Sequence, residues 1–378
     1  MKNKQTIKVL QTIRQGKIGG GETHVLDLVK QLDKTRFEPV VLSFTDGPMI
    51  ERLNEMGIET KVIYTEKPFD MRQWKKVYEW AKSQKIDLIH AHGTRANSNS
   101  FWAAKQLNVP MIYTVHGWSF HPEQNGMKRL MREYGERFLT TKSDITIVVS
   151  ESNKQDGKKY ANLQNAKTKL VNYGIDITKF NPNKKGVKNV RREYGISDDK
   201  ILVGYLVRMT IQKDPFTMLK AAAKVLQKTD KVVFLFIGNG DLKAEVLALA
   251  SELGARKKII FDDFRQDIPD VLQAIDIYCL PSLWEGLPIG LLEAMSMKKA
   301  VIATPVDGTK EAITDGENGV LVPCKDDEKL AKAILKLADD KEKIKNFGEK
   351  AYQTVLERFT LPVMAKEVEA IYETVLIN

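Results

Sequence analysis

Short apolar runs rich in β-branched residues alternate with amphipathic segments along almost the whole chain. This alternation is typical of a parallel sheet whose strands are joined by crossover helices. It predicts seven strands in the first half and six in the second, at 7–13, 39–44, 60–64, 86–90, 110–115, 144–149, 169–172, 201–207, 232–237, 258–261, 276–280, 300–303 and 319–322. Each half is therefore predicted to form its own doubly wound α/β sheet.

The stretch 174–190 is rich in Gly, Asn, Pro and Lys and has no hydrophobic period, so it is predicted to be a linker. A chain of 378 residues also exceeds the ~250 residues at which single cores stop growing. We expect an N-terminal domain at 1–173 and a C-terminal domain at 191–358. The segment 359–378 reads as a final helix that packs back on the N-terminal domain.

Composition places the chain among folded proteins, with 43% hydrophobic and 29% charged residues. No apolar run approaches the ~20 residues of a membrane-spanning helix, and the first residues lack the pattern of a secretory signal. Two cysteines, Cys279 and Cys324, form no disulfide framework, which fits a reducing compartment. The expected location is the cytoplasm.

Charge is unevenly spread along the chain. Residues 1–200 carry 35 Lys and Arg against 22 Asp and Glu, whereas the remaining residues carry 24 against 27. A basic first half suggests an anionic partner, such as a membrane surface, a lipid phosphate or nucleic acid, although a merely solvated surface explains it about as well.

Two segments of this basic half, 70–85 and 126–142, combine cations with large apolar residues. Either could be a basic amphipathic helix that docks on an anionic leaflet. Helices that pack inward and expose solvated outer faces explain them equally well.

The segment 281–295, P-S-L-W-E-G-L-P-I-G-L-L-E-A-M, directly follows a predicted strand and should open a helix. Pro288 suits the first helical position, and Gly286 permits a tight turn before it. The amides of Ile289, Gly290 and Leu291 would then point out of the helix start, where a diphosphate can bind.

Glu285 and Glu293 are placed differently around this helix start. Side chains on a helix lean toward its N-terminus, which aims Glu293 at whatever the amides hold, such as the two hydroxyls of a ribose. Glu285 lies in the preceding loop and could reach sugar hydroxyls. Surface carboxylates favoured by the helix dipole are the plainer alternative.

Cations and glycines follow other predicted strands. Arg208 ends the strand at 201–207, and Lys213 precedes a helix opened by Asp214 and Pro215, so both could neutralise a diphosphate and stabilise the leaving group's charge. G-K-I-G-G-G-E at 16–22 lets backbone approach a phosphate but lacks the third glycine of a dinucleotide fingerprint.

His116 ends the strand at 110–115 in T-V-H-G-W, a placement that favours ligand contact. His90, His92 and His121 are weaker candidates, and no histidine has metal-ligand spacing with Cys or Asp.

E-G-L-P-I-G-L-L-E at 285–293 resembles the E-x7-E signature of glycosyltransferase family 4, whose members are retaining enzymes with the GT-B fold. G-G-G-E at 19–22, N-Y-G-I-D at 172–176 and D-G-E-N-G at 315–319 agree in order, so the resemblance covers roughly residues 7–375. It implies two Rossmann-like domains facing each other across a cleft, with the acceptor on the first and a nucleotide-sugar donor on the second.

The resemblance also implies roles for residues at matching positions. Arg208 and Lys213 would contact the donor phosphates, the loop at 16–22 would face the diphosphate, and His116 would contact the donor sugar. The catalytic candidates are His116, Arg208, Lys213 and Glu285. The donor-binding candidates are Gly20, Gly21, Gly238, Phe264, Arg265, Leu287, Ile289, Gly290, Leu291 and Glu293.

Of these, Phe264 or Arg265 could stack on the nucleotide base, which the loop at Gly238 should also border. Two positions depart from the family pattern. Asp263 stands where glycine is common, and Asp307 stands in the usual G-G-x-x-E segment, where its expected role is to shape the following helix.

The implied reaction is retaining transfer of a hexose from a nucleotide diphosphate, with UDP favoured over GDP and without a metal or other cofactor. The implied acceptor is a glycan or a polyprenyl-linked lipid rather than nucleic acid. A lipid-linked acceptor would place the enzyme at the inner face of the cell membrane. T-V-H-G-W-S-F at 114–120 is similar to enzymes of bacterial surface polysaccharide or lipopolysaccharide assembly. The alternatives are a nucleotide-sugar epimerase of similar fold and a non-catalytic membrane-associated scaffold.

Overall fold

The computed structural model describes residues 6–17, 19–120, 126–185 and 188–377. The chain divides into two compact units, the first comprising Met1–Gly174 and Leu361–Asn378 and the second Ile175–Thr360.

All thirteen predicted strands form, and their ends lie within two residues of the predicted ones. The first unit contains β1 (Ile7–Ile13), β2 (Phe37–Ser43), β3 (Thr60–Val62), β4 (Leu88–His92), β5 (Met111–Val115), β6 (Ile145–Val148) and β7 (Thr168–Leu170). The second contains β8 (Ile201–Leu206), β9 (Val232–Ile237), β10 (Ile259–Asp262), β11 (Ile277–Leu280), β12 (Ala300–Ala303) and β13 (Val320–Leu321).

Each sheet is parallel and doubly wound. The strand orders are β3-β2-β1-β4-β5-β6-β7 and β10-β9-β8-β11-β12-β13. The direction of winding therefore reverses between β1 and β4 in the first sheet and between β8 and β11 in the second. Ligands bind at the carboxyl ends of strands at such switch points.

Helices connect the strands and cover both faces of each sheet. The first unit contains α1 (Gly20–Gln31), α2 (Pro48–Glu55), α3 (Met71–Ser83), α4 (Thr94–Leu107), α5 (Gly126–Lys142) and α6 (Glu151–Tyr160). The second contains α7 (Val190–Glu193), α8 (Pro215–Lys228), α9 (Lys243–Glu252), α10 (Ile268–Ala274), α11 (Ile289–Ser296), α12 (Thr309–Ala312), α13 (Asp327–Ala338) and α14 (Lys341–Arg358). The last helix is α15 (Leu361–Ile377), and short 3-10 turns form at Asn165–Lys167 and Ile211–Lys213.

The last helix, α15, belongs to the first unit. Val368 and Tyr372 are fully buried in a cluster with Val9 of β1 and Leu88 of β4. Tyr372 also accepts a hydrogen bond from the Gln11 amide at 2.8 Å, so a polar contact inside the sheet fixes the helix as well as apolar burial.

No helix in the described part of the chain is long and apolar enough to cross a membrane.

Candidate functional site

Glu285 lies in the loop after β11 and is 7% exposed. Its Oε1 accepts a hydrogen bond from the Ser282 hydroxyl at 2.6 Å and forms an ion pair with Lys213. Its Oε2 accepts from the Gln212 amide at 3.3 Å. A carboxylate can accept about four hydrogen bonds, so these partners fix its orientation and leave room for about one more.

Two hydrogen bonds join this loop to the segment after β12. The Glu285 amide donates to the Asp307 carboxylate at 2.7 Å, and the Gly308 amide donates to the Gly286 carbonyl at 2.9 Å. Asp307 itself has a φ of +40°, in the left-handed region that favours glycine. Asp307 therefore fixes the backbone that carries Glu285, a role that the sequence did not predict.

The two predicted cations differ in their surroundings. The Lys213 ammonium forms an ion pair with Glu285. The backbone carbonyl of Lys213 accepts a hydrogen bond from the Tyr205 hydroxyl at 2.9 Å. Two of the three ammonium protons remain for other acceptors. Arg208 follows β8, is exposed, and has no side-chain partner among residues 6–17, 19–120, 126–185 and 188–377. Arg208 is therefore the cation better placed to receive an anion.

The loop after β9 packs tightly against the Arg208 loop. The Met209 amide donates to the Asn239 carbonyl at 2.9 Å. Gly238 has a φ of +133°, and a Cβ there would collide with the Val207 carbonyl oxygen. Glycine is therefore required at Gly238 by backbone packing, which also sets the position of Arg208.

The start of α11 differs in detail from the prediction. Helical residues begin at Ile289, and Pro288 is the N-cap with extended ψ instead of the first helical residue. The Leu291 amide donates to the Pro288 carbonyl at 3.1 Å, so the prediction of a free Leu291 amide is wrong. In the described part of the chain, the amides of Ile289 and Gly290 have no acceptor and remain available to a ligand.

Other side chains of this segment are partly or fully buried. Leu287 is buried, so only its backbone could contact a ligand. Burial, and after it the charge of the partly buried Glu293, raises the pKa of Tyr278. The Tyr278 hydroxyl lies against Gly290, where a Cβ would be 3.0 Å away. Tyr278 thus packs against Gly290 at the helix start, and Glu293 lies near enough to affect its ionisation.

Arg265 is a structural residue in the second unit. Its guanidinium donates to Glu193 at 2.6 and 3.0 Å, to Asp267 at 2.8 and 2.7 Å and to the Tyr194 hydroxyl at 2.8 Å. All five N–H groups are therefore used, the side chain is only 12% exposed, and the guanidinium lies over the Tyr194 ring, so the prediction that Arg265 stacks on the base does not fit this geometry. Phe264 beside it is 64% exposed and is the better candidate for stacking on a base.

The first unit brings His116 against the glycine-rich turn. Gly20 and Gly21 open α1, and a Cβ on Gly21 would lie 3.3 Å from the His116 ring. His116 Nδ1 lies 2.6 Å from the Tyr173 hydroxyl, and Nε2 lies 3.1 Å from His92 Nδ1. Both ring nitrogens are thus engaged, and a sugar hydroxyl would have to compete with Tyr173 or His92 for His116.

A hydrogen-bonded chain continues from His92 into the core. His92 Nε2 lies 2.8 Å from the side-chain oxygen of Gln11. The side-chain NH2 of Gln11 donates to the Tyr372 hydroxyl, which lies 2.7 Å from His90 Nδ1. An amide oxygen only accepts, so His92 carries its proton on Nε2, and His116 Nε2–H then donates to His92 Nδ1.

Burial keeps these imidazoles neutral. It lowers the pKa of His24 to about 4 and the pKa values of His90, His92 and His116 well below the usual 6.5. A neutral His116 with a fixed tautomer can orient a ligand but carries no charge of its own.

Sequence reasoning missed several members of these clusters. The sequence pattern gives no role to Gln11 or Tyr173, although Tyr173 stands in the N-Y-G-I-D segment, and it makes His92 only a weak candidate, although H-A-H ends a strand. His121 lies outside the described residues. Among described residues, no three His, Cys, Asp or Glu side chains are arranged to hold a metal ion.

Two family models match the chain, one to each half. Glycosyltransferase Family 4 matches residues 18–179, and Glycosyl transferases group 1 matches residues 187–354.

Curated relatives have low identity over most of their length. An Escherichia coli UDP-Gal:alpha-D-GlcNAc-diphosphoundecaprenol alpha-1,3-galactosyltransferase is 24% identical, with 82% of this chain and 81% of the relative aligned. The N-acetyl-alpha-D-glucosaminyl L-malate synthase of Bacillus anthracis is 24% identical over 95% of both chains.

The fold is shared with solved structures. Anabaena HepE in complex with UDP and glucose aligns with a TM-score of 0.87 at 22% identity, covering 97% of this chain and all of that one. Sucrose-phosphate synthase from Thermosynechococcus elongatus aligns with a TM-score of 0.80 at 19% identity, covering 98% and 99%.

Two doubly wound parallel-sheet domains with ligand candidates at their switch points define a GT-B protein. With both family models matched in order, the chain belongs to the GT-B glycosyltransferases, in glycosyltransferase family 4.

Proposed function

We propose that this glycosyltransferase transfers a hexose from a UDP-sugar, in preference to a GDP-sugar, with retention of configuration and without a metal ion. The acceptor is a glycan or a polyprenyl-linked glycolipid of bacterial surface polysaccharide or lipopolysaccharide assembly. The observation that carries the proposal is the convergence, at the β8/β11 switch point, of Glu285, Lys213 and the free amides of α11.

The diphosphate is assigned to the start of α11. The unpaired amides of Ile289 and Gly290 and the positive end of the helix dipole favour an anion there. Arg208 adds an exposed cation from the neighbouring β8 loop. These groups stabilise the negative charge that develops on the diphosphate as the glycosidic bond breaks, which is the task that a metal ion performs in other transferases.

Glu285 is assigned to the sugar end of the donor, and its partner Lys213 to the nearby phosphates. The Glu285 carboxylate is held by Ser282, Gln212 and Lys213, so it can accept a sugar hydroxyl without rearranging. Its pairing with Lys213 limits the repulsion between a carboxylate and the nearby phosphates. Glu293 is assigned to the ribose hydroxyls.

Support for the donor and acceptor comes from the relatives. The Escherichia coli relative takes galactose from UDP-Gal to a diphosphoundecaprenol-linked sugar, and HepE was crystallised with UDP and glucose. A polyprenyl-linked acceptor would bring the enzyme to the inner face of the cell membrane.

The test is a panel of UDP- and GDP-sugars incubated with the purified protein, with release of free nucleotide as the readout. We expect slow hydrolysis of one UDP-sugar, undiminished by EDTA and accelerated when a suitable diphosphoprenyl-linked acceptor is added. NMR of the product should give the same anomeric configuration as the donor.

Each part of the proposal can fail separately. Activity that requires Mg²⁺ or Mn²⁺ would overturn the metal-free assignment, and an inverted anomer would overturn retention. Release of UDP with epimerisation of the sugar and no transfer would favour an epimerase. No turnover of any donor, with UDP binding absent, would favour a non-catalytic role.

A further inference from the structure

Helix α5 places most of its large apolar side chains outward and its carboxylates inward. Large apolar residues recur along one face at 127, 130, 131, 134 and 138, the spacing of a single helical stripe. All are between 40% and 75% exposed, namely Met127, Leu130, Met131, Tyr134 and Phe138. We call this set the α5 stripe. Contiguous exposed apolar side chains of this size mark an interaction surface.

The polar inner face fixes this orientation. Glu136 is fully buried and accepts hydrogen bonds from the Thr94 hydroxyl at 2.7 Å and the Tyr113 hydroxyl at 2.8 Å. The Thr140 hydroxyl donates to the Ala161 carbonyl at 2.7 Å. Turning the helix to bury the stripe would break these bonds and leave Tyr113 unpaired in the core, so the outward stripe is built into the fold.

The contrast with α3 separates the two basic segments singled out in the sequence. Val77 and Ala81 of α3 are fully buried, and Trp74 packs edge-on against Phe101 at 5.0 Å. Helix α3 is therefore a packing helix with a solvated outer face. Its preceding loop nevertheless adds to the stripe, because the Phe69 ring lies 6.0 Å from that of Phe138.

The exposed charged residues of α5 are all positive. Lys128, Arg132 and Lys142 are exposed on α5, whereas both acidic residues of the helix, Glu133 and Glu136, are buried. Pairing with a second copy of the chain would bring these cations toward each other, which is unfavourable. An anionic bilayer accepts both features, since the apolar side chains enter the acyl boundary and the cations reach the headgroup phosphates.

We infer that the α5 stripe docks this enzyme on an anionic lipid surface, with the helix lying in the plane of the interface. The inference rests on the proposed function for its purpose, since a polyprenyl-linked acceptor lies in a membrane. Helix α5 begins ten residues after His116, and Arg132 donates to the Ser119 carbonyl, so docking brings the carboxyl edge of the first sheet to the lipid.

Vesicle flotation with the full chain tests the inference, using phosphatidylcholine alone and phosphatidylcholine mixed with phosphatidylglycerol. We expect binding to the anionic vesicles and a fall of at least about tenfold in partitioning for Leu130→Gln with Met131→Gln. The matched control is Met56→Gln with Leu253→Gln, which removes two equally apolar exposed side chains elsewhere and should bind as the wild type does.

The charge component has its own pair of variants. Lys128→Gln with Lys142→Gln should weaken binding about fivefold per removed lysine. Lys75→Gln with Lys76→Gln, on the exposed face of α3, should have a smaller effect. Circular dichroism and UDP affinity confirm that each variant folds.

Absence of wild-type binding to anionic vesicles would overturn the inference, as would equal binding by the Leu130 and Met131 variant. Equal binding to neutral vesicles would overturn its anionic component. Concentration-dependent dimerisation that the variant abolishes would assign the stripe to self-association instead. Because the vesicles contain no donor or acceptor, these outcomes are independent of whether the enzyme transfers a hexose from UDP.

Discussion

The Asp307 carboxylate accepts a hydrogen bond from the backbone amide of Glu285 at 2.7 Å, while Asp307 itself has a φ of +40°. A side chain is thus retained at a backbone conformation that glycine would adopt without strain, and it holds the loop that carries a catalytic candidate. Such positioning is expected to affect turnover more than nucleotide binding.

Replacing Asp307 with Gly should relieve the backbone strain but remove this hydrogen bond. Hydrogen bonds to charged groups contribute about 1.5–3 kcal/mol, so we expect kcat to fall between about tenfold and a hundredfold. UDP affinity, measured by calorimetry, should change by less than about twofold, because the α11 amides do not depend on Asp307.

Asp307→Asn is the matched control, since its carbonyl oxygen can still accept from the Glu285 amide. It should retain most of the turnover that Asp307→Gly loses. Equal losses in both variants would show that the charge of Asp307, not the position it gives to Glu285, matters.

The two glutamates of the E-x7-E segment should separate binding from turnover. Glu293→Ala is expected to abolish measurable UDP binding because it removes the acceptor assigned to the ribose. Glu285→Gln should bind UDP normally or more tightly, since Lys213 loses its ion-pair partner and becomes available to the diphosphate, yet lose turnover.

Calorimetry with UDP and a turnover assay on the same preparations check both variants. Unimpaired activity in both would remove these residues from the site. Loss of UDP binding in Glu285→Gln alone would exchange the two assignments.

The neighbours of the predicted nucleotide base should respond differently to mutation. Phe264→Ala is expected to weaken UDP binding by about fivefold or more, since stacking of a base on an aromatic ring contributes ~1–3 kcal/mol. Arg265→Gln should lower the thermal unfolding temperature of the second unit through the lost bonds to Glu193 and Asp267. Thermal melts and calorimetry on both variants separate the effects; a purely thermal effect of Phe264→Ala would exclude stacking.

Local sequence patterns predict the strands, whereas the positions of the loop side chains depend on contacts between residues far apart in the sequence. A buried strand is a run of consecutive apolar residues, so the sequence alone places strands such as 232–237 correctly. The bond between Glu285 and Asp307 spans 22 positions, and that between Arg265 and Glu193 spans 72. Such pairings depend on which loops meet at the sheet edge, and no local spacing encodes them.

Contacts with other elements also explain why the sequence wrongly predicts a free Leu291 amide at the start of α11. They explain as well why the sequence leaves open which face of α5 turns inward. Whether Leu291 keeps a free amide depends on the ψ of Pro288, which composition does not set. Which face of α5 turns inward depends on Thr94 and Tyr113, whose hydroxyls bind Glu136 from other elements.

Gly238→Ala should strongly destabilise the second unit. The added Cβ would collide with the Val207 carbonyl oxygen, and the φ of +133° disfavours any L side chain, so we expect a loss of several kcal/mol in the free energy of unfolding and weaker UDP binding. Gly254→Ala is the control, because φ is also positive there but nothing lies within 4 Å of the added Cβ. Urea titration should give a cost of only ~1 kcal/mol for that variant.

The buried histidines should make the first unit less stable in mild acid. Burial lowers the pKa of His24 from 6.5 to about 4, so below pH 6.5 the unfolded chain binds a proton that the folded chain does not. The resulting stability is full above pH 6.5 and is lost as pH falls toward 4, by about 1.4 kcal/mol per pH unit and ~3 kcal/mol in total for this residue. Burial raises the pKa of Glu136, which changes stability with pH in the opposite direction, but this effect is the same in the wild type and in the variant.

Urea titrations of the wild type and His24→Gln between pH 7 and 5 should therefore give a shallower pH dependence of the unfolding free energy for the variant, by about one proton. Parallel curves would mean that the pKa of His24 is the same in the folded and the unfolded chain, which would contradict a neutral, buried imidazole at this position.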